Sequence, residues 1–271
     1  MKINLLRGGF RFEIFFAMGT SIFLLLATAV PALANYSVDQ MPEKVIEFPV
    51  ITDQQVLFER AINGISDLEN EELAPKSEAY IINEDGITKD VQVYSTTQLV
   101  KEETLKDGNI SREYVTTNFA VIKEGSLKSS DEITTQGFID DDKWDEYTDT
   151  ARAYSSYSWQ KVSDAFGVVH AKLLGTVSGG WELRIGTSIK NKSAEIVQTG
   201  PSSWGGYHDQ SLPFSIPDTT FTFSNSVPTS WEAVHADDTA GIVGVQQKGT
   251  ITRGSKSYSF SFKNYIYGMG G

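Results

Sequence analysis

The run from Ser257 to Phe262 constrains this chain more than any other: Tyr258, Phe260 and Phe262 alternate with Ser257, Ser259 and Ser261. Side chains of period two point to opposite faces of an extended strand, so the three rings share one face and the three hydroxyls the other. A helix would scatter both sets around its axis. The pattern predicts a half-buried antiparallel strand, which needs neighbours on its edges and a layer against its rings. The same period recurs at Trp181, Leu183 and Ile185, nearly reaches Ile189, and returns at Leu212, Phe214 and Ile216. Turn chemistry separates these runs at Ser178-Gly179-Gly180, Gly200-Pro201, Gly205-Gly206, Pro217-Asp218 and Arg253-Gly254-Ser255. Residues 151–271 therefore read as short strands between turns, an antiparallel β-sandwich or barrel-like domain. Gly175 to Gly180 lies between two β segments and reads as a hairpin turn, not as a nucleophile elbow, which would lead into a helix.

The N-terminal part mixes periods. Thr52-Asp53-Gln54-Gln55 has the form of a capping box, and Val56, Leu57, Ile62, Ile65 and Leu68 follow at mostly helical spacing. The pattern predicts an amphipathic helix of about five turns that ends before Pro75, weakened at Gly64 by about 1 kcal/mol relative to Ala. From Tyr80 the period drops to two, with hairpin signals at Asn83-Glu84-Asp85-Gly86 and Lys106-Asp107-Gly108-Asn109. Residues 35–124 are thus expected as a helix plus β-meander, and 125–150, rich in Asp and Glu, as an acidic linker or loop. The fold class expected is mainly β, α+β overall.

The first 34 residues have the form of a secretory signal. Lys2, Arg7 and Arg11 precede an uncharged apolar run from Ile14 to Val30, and Ala32 and Ala34 occupy the −3 and −1 positions of a cut after Ala34. The expected location is extracellular, with no stable membrane association after cleavage. The alternative is a membrane anchor formed by the uncleaved helix, since the run lies near the lower limit for a span. The chain has no Cys, so an exported product must be held by its core and not by disulfides. Its formal net charge of −12 excludes nucleic acid as a partner, and removing the basic leader makes the remainder more acidic.

Candidate chemistry is sparse. The chain has three histidines. His170 is expected in a strand as a structural residue, while His208-Asp209 and His235-Ala236-Asp237-Asp238 set an imidazole beside carboxylates without a metal-ligand spacing. Asp140, Asp141 and Asp142 supply hard oxygen ligands of the kind calcium takes, though not at alternate positions. No cofactor is expected. The segment Ser202-Ser203-Trp204-Gly205-Gly206-Tyr207-His208 is polar and glycine-flanked, which suits a loop aromatic stacking on a sugar ring. Trp204, Tyr207, His208, Asp209 and Trp231 are the candidate ligand-binding residues. Trp181, in an alternating run, is expected in the core.

The run Gly175 to Gly271, with Val177-Ser178-Gly179-Gly180-Trp181 at one end and Tyr258-Ser259-Phe260-Ser261-Phe262-Lys263-Asn264 at the other, resembles uncharacterised exported proteins of Gram-positive bacteria. That resemblance implies a compartment and transfers no functional residue. The expected function is a non-enzymatic binding or interaction module at or outside the cell envelope, with cell-wall or extracellular glycan as the partner. The alternatives are a secreted hydrolase with a carboxylate or His-Asp site, and an exported toxin or immunity-type protein.

Overall fold

In the computed structural model the described residues are 42–68, 73–106, 108, 110–127, 149–163, 169–202, 205–235 and 241–268. The leader, Asp140, Asp141, Asp142 and Trp204 lie outside them. The N-terminal half of the sheet contains β1 (Pro42–Glu47), β2 (Leu73–Ile82), β3 (Thr88–Leu105), β4 (Ile110–Lys123) and β5 (Asp149–Ser163). It continues with β6 (Val169–Leu183), β7 (Thr187–Pro201), β8 (Tyr207–Ile216), β9 (Thr222–Ser226), β10 (Ile242–Arg253) and β11 (Lys256–Gly268).

All of these belong to one sheet in the order β8-β7-β10-β11-β2-β3-β4-β5-β6-β9, with β1 added to β3. Every ladder is antiparallel. The fold is mainly β, a nearly closed barrel with one α-helix among the described residues. The two units expected from the sequence share this sheet, because β4 pairs with β5 across the acidic stretch and β2 pairs with β11. The strand of alternating rings and hydroxyls, β11, sits between β10 and β2 with Phe260, Phe262 and Ile266 buried.

Inward-facing residues fill the barrel. Trp159 stacks on Tyr114 at 4.8 Å, and Tyr157, Leu173, Ile196 and Ile251 are almost fully buried in the same core. Burying an aliphatic or phenylalanine side chain of this kind stabilises the fold by roughly 1.5–3 kcal/mol. Polar groups also cross the interior. Asn264 Nδ2 donates to Ser155 Oγ at 2.8 Å, Gln247 Nε2 to the Tyr154 carbonyl at 2.7 Å, and the Ser77 and Ser95 hydroxyls to Asn118 Oδ1 at 2.9 and 2.7 Å. These bonds tie β10 and β11 to β5 and join β2, β3 and β4. The lumen is a packed core and not a channel.

Helix α1 (Gln54–Ile62) packs outside the barrel on β3, β4 and β5. Phe58 makes edge contacts with Tyr94 and Phe119 at 5.9 and 5.0 Å, and the Arg152 guanidinium lies 4.4 Å from its ring centroid. The helix is shorter than its apolar spacing predicts. Asp53, one residue past Thr52, is the cap, and its carboxylate accepts from the N–H groups of Gln55 and Val56. At the other end Gly64 takes φ +65°, so Gly64 and Ile65 donate to the carbonyls of Ala61 and Arg60 and close the helix in a Schellman motif. Ile65 and Leu68 continue the period in sequence but lie beyond that stop.

Gly175 to Gly180 is not a hairpin turn. All six residues lie within β6, with Gly175 at φ +57° where the β5–β6 register shifts. A side chain at Gly179 would sit 2.5 Å from the Tyr154 carbonyl and the Phe223 ring, so glycine here permits close strand approach.

Candidate binding face

The β7–β8 hairpin turns through Gly205 and Gly206, both near φ +90°, with Ser202 donating its N–H to the Gly206 carbonyl at 3.0 Å. Beyond the turn, Tyr207, His208 and Asp209 enter β8 opposite Pro201, Gly200 and Thr199. Strand alternation then separates them. Tyr207, Asp209, Ser211, Pro213 and Ser215 form an exposed outward stripe, whereas His208 and Gln210 turn to the other face. Tyr207 is 65% exposed at the head of this stripe, although its backbone is held in a ladder.

At the far end the stripe joins a cleft of about 390 Å³ on the outside of β7, β8 and β10. Its walls carry Ser193, Glu195, Pro213, Ser215, Gln246 and Lys248. The register explains the grouping, since Glu195 lies opposite both Pro213 and Gln246 while Ser193 lies opposite Ser215 and Lys248. Hydroxyls, an amide and one charge of each sign therefore face the same space. Pro213 is tolerated here because β8 ends the sheet order, and an edge strand can spare a ladder N–H.

His208 lies on the barrel side. Its Nε2 is 3.1 Å from Ser202 Oγ and 3.4 Å from Glu232 Oε2. A serine–histidine–carboxylate relay needs hydroxyl and carboxylate on opposite ring nitrogens, so convergence on one nitrogen does not build a nucleophile. Glu232 belongs to a strap, residues 227–235, that covers the gap between β6 and β7. Val234 and Ala171 exchange N–H···O bonds at 3.0 and 2.9 Å, and the His235 N–H reaches the Pro201 carbonyl at 2.7 Å.

Two glutamines replace the missing ladder across that gap. Gln198 accepts from the Leu173 N–H and donates to the Glu232 carbonyl, both at 2.6 Å. Gln210 accepts from the Glu232 N–H at 2.7 Å and donates to its carbonyl at 3.0 Å.

The sequence candidates are thus divided. Tyr207 and Asp209 share the outward face, His208 takes part in the strap, and Trp204 lies outside the described residues. Trp231 is corrected to a core residue, 8% exposed, because its strap turns the indole inward. His170 is buried as expected, 5.9 Å from the His235 ring. Trp181 is buried beside Phe223. Among the described residues no group of three His, Cys, Asp or Glu is arranged to hold a metal ion.

The cleft residues escaped sequence reading because Ser193, Glu195, Gln246 and Lys248 look like ordinary solvent-facing positions. The available signal was the alternation of Tyr207, Asp209, Ser211, Pro213 and Ser215, which marks one face of β8. No family model, curated protein or solved structure matches the chain.

Proposed function

We propose that this is an exported, non-enzymatic binding module that takes extracellular or cell-wall carbohydrate on the outer face of β8. The observation that carries the reading is Tyr207, a ring 65% exposed on a backbone fixed by the β7–β8 ladder, with Asp209 beside it on the same face. A phenol held this way offers an apolar face to the C–H groups of a sugar ring, and the adjacent carboxylate accepts from its hydroxyls. Rigid aromatic contacts lose little conformational entropy on binding. The meeting of Ser202 and Glu232 at a single nitrogen of His208 favours binding over hydrolysis.

Calorimetry against a panel of purified wall and extracellular glycans tests the proposal. Heat of binding is expected with at least one class, and Tyr207→Ala should remove it without lowering thermal stability. A panel with no heat, or a Tyr207→Ala protein that binds like the parent, refutes it.

A further inference from the structure

Resting on that reading, we infer that the ligand is a linear, uncharged oligosaccharide lying along β8 from Tyr207 to the cleft at Ser193, Glu195, Ser215 and Lys248. Three observations carry this. Tyr207 and Ser215 lie on one outward stripe of one strand. Eight residues of extended chain separate them, about 27 Å, which is several sugar rings and far more than one.

The cleft is also concave, at about 390 Å³, whereas the stripe leading to it is open. A ring stacked on Tyr207 would therefore be continued by further rings along the strand and seated in the cleft. The walls there supply hydroxyls from Ser193 and Ser215 and an amide from Gln246, which is anchored by its bond to Ser261 Oγ at 3.2 Å. These groups both donate and accept, which matches sugar hydroxyls.

Charge decides the class. Glu195 and Lys248 line the same cleft from neighbouring strands, and Asp209 lies farther along the stripe. Within the cleft one carboxylate and one ammonium sum to no net charge, so neither a polyanion nor a polycation gains there, and the hydroxyls and amide are left to select neutral rings. An extended peptide adding to the sheet would use the backbone edge of β8 and not the face carrying the cleft, and Pro213 removes a donor from that edge.

The test is calorimetry on the full chain with neutral glucose and N-acetylglucosamine oligomers of two to six rings, and with polyglutamate and polylysine as charged comparators. Affinity for the neutral oligomers should rise roughly tenfold from two rings to six, corresponding to about 1.4 kcal/mol of added contact. The double variant Glu195→Ala, Lys248→Ala should cost the six-ring ligand about fivefold or more and leave the two-ring ligand unchanged, because losing one or two hydrogen bonds is worth about that much. Tyr207→Ala should weaken both.

Binding that ignores chain length, or a six-ring ligand indifferent to the double variant, overturns the extended site while leaving sugar binding at Tyr207 intact. Tighter binding of either charged polymer overturns the uncharged class. Failure of every neutral oligomer to bind overturns this inference, and the function on which it rests falls with it only when the wider glycan panel also gives no heat. Circular dichroism of the double variant should match the parent, since both substituted side chains face outward.

Discussion

Replacing Gln198 with alanine tests how the barrel is closed. Gln198 is fully buried, and its amide spans the gap between β6 and the strap, accepting from Leu173 and donating to Glu232 at 2.6 Å each. Alanine leaves the buried Leu173 N–H without that acceptor, which costs about 1–3 kcal/mol. The Glu232 carbonyl keeps its bond from Gln210 at 3.0 Å, so this second loss is about 1 kcal/mol. The deleted methylene adds roughly 0.8 kcal/mol of lost burial.

The sum is about 3–5 kcal/mol. At 2–4 °C per kcal/mol for a domain of this size, Tm should fall by roughly 6–20 °C. Scanning calorimetry reads the shift, and amide exchange reads its location, with Leu173 and Val234 losing protection before the β10–β11 ladder does. The half-exposed Gln210 should cost less, about 1 kcal/mol for Gln210→Ala, because water can replace its bonds. A Gln198→Ala protein that melts within about 2 °C of the parent, or that keeps Leu173 protected, would show that the strap does not depend on this amide.

Other perturbations read other parts of the fold. Phe58→Ala empties the contact between α1 and the rings of Tyr94 and Phe119 and should cost about 3–5 kcal/mol by urea unfolding; a loss below about 1 kcal/mol would mean the helix is not docked as described. Gly179→Ala places a methyl 2.5 Å from the Tyr154 carbonyl and should lower Tm and weaken the β6–β9 ladder, whereas Gly205→Ala, with open space around it, should leave that ladder intact. Burial, aided by the Glu182 carboxylate and opposed by the Arg152 guanidinium, pushes the Tyr154 phenol up. The folded state therefore holds this proton more tightly than the unfolded chain, a contribution fully present below about pH 10 and lost as pH rises through the raised pKa. Tyr154→Phe should lose less stability than the parent between neutral pH and pH 11, measured by denaturant unfolding, and an identical loss would count against the assignment.

Local chemistry made the elements legible and left their assembly hidden. The alternation of Tyr258, Phe260 and Phe262 announced β11, and the Asn83 to Gly86 turn formed as its residues suggest, with Asn83 Oδ1 accepting from the N–H groups of Asp85 and Ile87. The pairing of β2 with β11 had no such signature, because its partners are far apart in sequence and each strand alone reads as half-buried. Glycine misled in both directions. Gly64 ended a helix whose apolar spacing ran on, while Gly179 and Gly180 looked like a turn although they serve close packing inside a strand.

The candidate site was half visible. Tyr207 and Asp209 stood out as an aromatic and an acid beside a glycine turn, but whether His208 joined them depended on which face each residue takes, a question that register answers. Trp231 could be separated from the exposed aromatics only once its strap was seen against β6. Glu195 and Lys248 acquire meaning only when β7 and β10 lie side by side.

The most direct measurement of the binding face is an amide NMR titration of the folded protein with a six-ring neutral oligosaccharide. The expected perturbations map to Tyr207, Asp209, Ser211 and Ser215 on β8 and to Ser193, Glu195, Gln246 and Lys248 across the cleft. The inward-facing residues of β11 and the β2–β3 turn around Asn83 and Ile87, four strands from β8 in the sheet order, should stay still. Perturbations centred on Asn83, Ile87 and Lys256 instead, or none at saturating ligand, would contradict a carbohydrate site on the outer face of β8.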